Sequence, residues 1–212
     1  GAVAINFAVR HPERVSRLVL YGAFIQGKTA RATTPEAQAE AETLLRLVEV
    51  GWGKDDPAFR QLYTSQYVPD GSAEQFRALN ELLRRTASPA NASRFMRELH
   101  RSDLRVLAPR LACPTLVLHA RGDARVPFEQ GRLLAAAITG SRFVPLDSRN
   151  HALLHGEPAL AQFAAELDAF LAAPAALPTL RAQSFDELTR REREVLELLA
   201  RNESALGNFD AA

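Results

Sequence analysis

The sequence predicts an α/β fold: a parallel sheet with flanking helices, interrupted by an inserted helical cap. Three observations carry that expectation. Three runs, "VSRLVLYG" (15–22), "PTLVLHA" (114–120) and "SRFVPL" (141–146), are apolar without alternation, as strands covered on both faces are. Helical patterns follow the second and third runs, and strand–helix–strand–helix is the order that parallel pairing requires. Residues 24–108 break that order with helical periodicity alone.

Residues 1–11 read as a helix with Ala2, Ala4 and Ala8 on one face, able to lie close to a sheet, before Pro12 and Glu13 turn the chain into the first strand. In the inserted segment, "SAEQFRALNELLRR" opens with Ser72 and Gln75 at capping-box spacing and gathers Phe76, Leu79, Leu82 and Leu83 on one side. Trp52, Phe59, Tyr63 and Tyr67 either line a pocket beneath this cap or form the cap's own core. "PFEQGRLLAAAITG" reads as the crossover helix between the last two strands, and "PALAQFAAELDAFLAA" as a closing helix. The domain therefore spans 1–172, with the cap at about 24–108. Residues 173–184 are Ala/Pro-rich and aperiodic, a linker. Residues 185–212 begin a new helix in which Thr189 and Glu192 hold capping-box positions.

Lys+Arg 26 against Asp+Glu 25 leaves a formal charge of +1, so no global field draws nucleic acid or an anionic membrane. Cys113 is the only cysteine; it cannot close an intrachain disulfide and reads as a packed thiol. The apolar opening residues carry Arg10 and lack a basic leader and a cleavage site. They are neither a signal peptide nor a membrane span, and the expected location is the cytoplasm. His11, His100, His119 and His155 show no metal-ligand spacing, so no metal and no cofactor is expected. "GAFIQGKT" (22–29) matches the phosphate-loop pattern G-x-x-x-x-G-K-[ST] after a strand. Yet Pro35 and the paired threonines before it deny the loop the helix N-terminus that would hold phosphates.

The candidate catalytic residues are Asp123 and His151. Asp123 follows Gly122 just past the second strand, and His151 follows the third through "DSRN", so both leave the carboxyl edge of adjacent strands, where open α/β sheets place their sites. A histidine acting as general base needs a carboxylate on its other ring nitrogen to fix the tautomer and stabilise the imidazolium. The competing reading is that Asp123 makes a loop turn and His151 closes a strand end. No G-x-S-x-G motif occurs anywhere in the chain, so no nucleophile is assigned; no substrate-binding residue is assigned either.

With these residues in place, "GAVAINFAVRHPERVSRLVLYG", "PTLVLHARGDARVPFEQGRLLAAAI" and "SRFVPLDSRNHALL" resemble the C-terminal half of an α/β-hydrolase. The resemblance covers residues 1 to about 172 and implies an incomplete α/β-hydrolase fold. In that family the order along the chain is nucleophile, acid, histidine. It places Gly1 at or just after the end of the nucleophile elbow, with the serine and the oxyanion donors upstream of residue 1, and it leaves this chain inactive alone. The tail "LTRREREVLELLAR" resembles the opening helix of LuxR-type helix-turn-helix domains. Residues 186–203 hold four arginines against six acidic groups, and the turn and recognition helix are not reached. An amphipathic C-terminal helix is the alternative.

The resemblances imply a fragment of a serine-type hydrolase of small ester-like substrates, from a bacterial parent fused to a LuxR-type DNA-binding domain. The alternative is a non-catalytic ligand-sensing module of a transcriptional regulator. A small-molecule substrate or ligand is the expected partner, with DNA bound only through a complete helix-turn-helix and no membrane association.

Overall fold

The computed structural model of the protein describes residues 1–52, 54 and 57–173. The proposed linker beyond residue 173 and the helix-turn-helix-like tail lie outside the described residues. Helix α1 (Ala2–Arg10) leads through a short 3₁₀ turn at Pro12–Arg14 into β1 (Leu18–Tyr21). Four helices follow, α2 (Pro35–Gly51), α3 (Pro57–Thr64), α4 (Ala73–Thr86) and α5 (Pro89–Arg101). Then come β2 (Thr115–Ala120), α6 (Phe128–Ala137), β3 (Arg142–Leu146) and α7 (Pro158–Ala172).

The three strands pair in parallel in the order β1-β2-β3, with Leu18 opposite Thr115 and Leu116 opposite Arg142. Every residue of the central strand β2 is buried, which is why its apolar run does not alternate. Side chains of successive strand residues point to opposite faces, and the two faces have separate cores. Leu18, Leu20 and Val117 pack with Ile5 and Ala8 of α1 and Leu134 of α6. Leu116, Leu118, Val144 and Leu146 pack with Ala159 of α7, with Phe163 and Phe170 against them. The sheet is thus covered on both sides, and fully burying side chains such as Leu116 and Leu118 contributes about 1.5–3 kcal/mol each. Cys113 packs at the edge of the first core.

The strands are shorter than the apolar runs suggest. β1 starts at Leu18, where its N–H reaches the Pro114 carbonyl at 3.0 Å; Val15 is extended but only packs on the core. Crossover helix α6 ends at Ala137, and the chain turns at Gly140 with φ +71°.

The helices of the inserted segment begin where their side chains can satisfy free backbone N–H groups. Thr34 caps α2 and Ser88 caps α5, each followed by proline at the first helical position. Ser72 and Gln75 form the reciprocal capping box of α4. The apolar face expected of α4 is only partly used: no residue of α4 is fully buried, Leu82 is 57% exposed, and Leu83 alone joins the cap core. That core is Val48, Trp52, Phe59, Tyr63, Ala92 and Met96. No helix among the described residues is long and apolar enough to cross a membrane.

Candidate active site

Asp123 is carried by the turn that leaves β2. The N–H of Gly122 donates to the Ser148 carbonyl at 2.9 Å, which ties this turn to the loop after β3. Asp123 Oδ1 accepts the backbone N–H groups of Arg125 (2.8 Å) and Val126 (2.9 Å), a turn held by its own side chain. Oδ2 lies 2.8 Å from His151 Nδ1. The two readings of Asp123 are therefore compatible, since one oxygen makes the loop turn and the other takes the histidine. The carboxyl is fully buried. Burial works to raise its pKa, but the hydrogen bond and charge of His151 and the two backbone donors outweigh it, leaving the group below its ordinary value.

His151 is fixed by the loop that carries it. Asn150 accepts the Asp70 N–H at its side-chain oxygen (3.2 Å) and donates from its amide to Glu157 (3.2 Å), while its carbonyl accepts the Tyr21 hydroxyl (3.1 Å). Ala152, the residue after His151, donates its N–H to the Tyr67 carbonyl at 2.9 Å. The loop is thereby pinned to β1 and to the segment after α3. The ring stands edge-on to Tyr67, with centroids 5.6 Å apart, and is stacked at 6.4 Å on Tyr21. Its side chain is 21% exposed. With Nδ1 donating to Asp123, Nε2 is the free base position, and it has no hydrogen-bond partner among the described residues.

Gly22 lies beside this ring in the left-handed region, φ +56°, where glycine alone is unstrained. A Cβ there would stand 2.7 Å from His151 Cε1. The next residue, Ala23, packs against Gly1, the N-cap of α1. The positive end of the α1 dipole therefore lies next to the glycine that the imidazole covers.

A second histidine adjoins the acid and was not singled out from the sequence. His119, completely buried in β2, has Nε2 3.0 Å from the Val126 carbonyl and 3.5 Å from Asp123 Oδ2. Burial lowers its pKa, against the raising influence of the Val126 carbonyl and Asp123. Nε2 donates to the Val126 carbonyl, leaving Nδ1 a buried acceptor without a partner among the described residues. The backbone of α6 closes over that atom, for a Cβ on Gly131 would lie 2.3 Å from it. The sequence signal is the one ionisable residue of the central strand, His119 in "TLVLHA".

Other candidates fall elsewhere. His155 is exposed on a turn. Trp52, Phe59 and Tyr63 belong to the cap core, whereas Tyr67 reaches the His151 ring. The phosphate-loop match is not built as one. The N–H groups of Gly27, Thr29 and Ala30 donate to the carbonyls of Ser102 and His100, and no helix starts until Pro35. Among the described residues, no group of three or more His, Cys, Asp or Glu could hold a metal ion.

No family model matches the chain. It is similar to a pimeloyl-[acyl-carrier protein] methyl ester esterase of Neisseria meningitidis serogroup A, 31% identical over 162 residues, which cover 74% of this chain and 51% of that protein. The chain thus spans about half the length of this relative. Among solved structures, it superposes on an esterase from Exiguobacterium antarcticum with a TM-score of 0.64 at 21% identity, covering 80% of this chain and 62% of the other. It also superposes on a hydrolase from Oleispira antarctica with a TM-score of 0.65 at 17% identity, covering 81% and 62%. With its parallel sheet, flanking helices and Asp123 and His151 at one sheet edge, the chain has the α/β-hydrolase fold.

Proposed function

We propose that this chain is part of a serine-type hydrolase of small ester-like substrates, with His151 as general base and Asp123 as the carboxylate that orients it. The observation that carries this reading is the 2.8 Å contact of His151 Nδ1 with a buried carboxylate, which leaves Nε2 free on a ring that packs beside Gly22. In the proposed reaction, a hydroxyl nucleophile in the polypeptide before α1 attacks the ester carbonyl as its proton passes to His151 Nε2. Asp123 stabilises the imidazolium, which then returns the proton to the departing alkoxide. Water hydrolyses the acyl intermediate by the same relay. The similarity to a methyl ester esterase supports the ester class. The α1 N-terminus is suited to support developing negative charge.

The tail favours one addition to this reading. "LTRREREVLELLAR" supports a cytoplasmic parent in which the hydrolase domain precedes a LuxR-type DNA-binding domain. On that view the site also serves, or serves instead, as a ligand sensor.

The test is an aryl-ester assay on three proteins: the 212-residue chain, a polypeptide extended upstream through a nucleophile elbow and its preceding strands, and that polypeptide carrying His151→Ala. Turnover confined to the extended, His151-intact protein is the expected result. Equal turnover by the His151→Ala protein overturns the assignment, and inactivity of all three with retained ligand binding favours the sensor.

A further inference from the structure

Between the cap and the turn that carries Asp123 lies a cavity of about 280 Å³, bounded by Lys28, Arg31, His100 and Arg125, with Phe24 and Met96 among its apolar walls. Its charges do not balance. Glu40 is the carboxylate on this wall, and Lys28 holds it at 2.7 Å. Arg31 and Arg125 spend their donors on neutral acceptors: Arg31 on the Gln26 carbonyl at 3.0 Å, Arg125 on Gln66, the Tyr63 hydroxyl and Met96 sulfur. His100 has a buried Nδ1 with no partner among the described residues. Its pKa is pushed down to about 4, first by burial and then by Arg125, Lys28 and Arg31, so at neutral pH it adds no charge.

Among the described residues neither guanidinium hydrogen-bonds a carboxylate, although the Glu40 charge reaches Arg31, and such groups in a partly desolvated cavity are costly unless an anion completes them. The same groups, pre-organised, are suited to bind a planar carboxylate at two points. One wall residue of the cavity, Arg125, is linked to the catalytic pair through Tyr67. The Arg125 guanidinium lies over the Tyr67 ring, 4.2 Å from its centroid, and the Tyr67 and His151 rings pack T-shaped with centroids 5.6 Å apart. A group bound at Arg125 is one aromatic ring away from the general base.

We infer that this cavity receives a terminal carboxylate, so that the substrates of the site are esters bearing an acid group at the far end of a short aliphatic chain. The inference rests on the hydrolase reading for its ester half only. Arg31 and Arg125 bind the carboxylate, Lys28 with Glu40 closes the wall, and the apolar walls take the methylenes. Tyr67 is the positioning residue between the two ends.

The experiment uses the full polypeptide that carries the nucleophile and compares 4-nitrophenyl hemiesters of glutarate and adipate with neutral 4-nitrophenyl esters of equal chain length. The expected kcat/KM preference for the acidic esters is roughly 10- to 100-fold, expressed in KM, and it collapses in Arg31→Gln and Arg125→Gln proteins that retain wild-type circular dichroism. In the unmutated protein, glutarate competes with a neutral ester, and glutaramide does not. Equal use of acidic and neutral esters, or a preference that survives both substitutions, overturns the inference and leaves the hydrolase reading standing. If no ester is turned over, a thermal shift with glutarate and none with glutaramide, retained in His151→Ala, supports the carboxylate site while the hydrolase reading fails. Absence of that shift overturns the site as well.

Discussion

Asp123 divides its two oxygens between two tasks: Oδ1 closes the turn through the N–H groups of Arg125 and Val126, and Oδ2 meets His151 Nδ1 at 2.8 Å. Asp123→Asn should therefore keep the turn, because an amide oxygen can still accept both N–H bonds, while removing the charge that stabilises the imidazolium. In the extended, active polypeptide we expect kcat to fall about 10³- to 10⁴-fold with the far-UV circular dichroism unchanged. A fall of less than tenfold would show that His151 does not depend on this carboxylate.

Gly22 occupies φ +56° directly beside the imidazole. Gly22→Ala should destabilise the domain by about 1–3 kcal/mol and displace the His151 ring, because the added Cβ would stand 2.7 Å from Cε1. Thermal unfolding together with the His151 imidazole resonances checks both effects. An unchanged melting temperature would mean that the loop after β1 relaxes freely.

Gly131 keeps α6 close to His119, with space for no side chain: its Cβ would approach Nδ1 to 2.3 Å. Gly131→Ala should push α6 off β2 and cost about 1–3 kcal/mol as an overpacked core position. Urea unfolding measures this. His119→Phe in the same background should not restore stability, because a phenyl ring keeps the same clash.

Stability should fall between pH 6.5, the ordinary value for histidine, and about 4, the value to which His100 is depressed. In that window the unfolded state takes up a proton that folded His100 refuses, so the unfolded state binds more protons and acid favours it. His119, held below its ordinary value by burial, acts in the same direction. Asp123 acts in a lower window, where the stability from its depressed pKa is lost as pH falls through the folded value. His100→Gln should therefore reduce, without abolishing, the slope of melting temperature against pH above about 4.5. A slope identical to that of the unmutated chain would show that His100 is free to protonate when folded.

Sequence alone determined that three parallel strands form and at which edge Asp123 and His151 emerge, because continuous apolar runs separated by helical periods leave a parallel sheet as the arrangement that buries them; the strand ends and the sheet order came from the fold. The caps at Thr34, Ser72 and Ser88 are likewise local, since each side chain bonds an N–H three residues away. What depends on contacts between distant segments was legible only in the folded chain. The α4 stripe predicts burial that the cap does not provide at Leu82. The phosphate-loop match dissolves because the carbonyls of His100 and Ser102 at the end of α5, some 70 residues further along, take the amides it would need. His119 and the Arg31–Arg125 wall came from no motif, for burial and unbalanced charge are properties of surroundings and not of spacing. The 2.8 Å contact of Asp123 with His151 belongs to both: β2 and β3 deliver the pair to one edge, and Asn150, Gly22 and Tyr67, from three separate elements, set the distance.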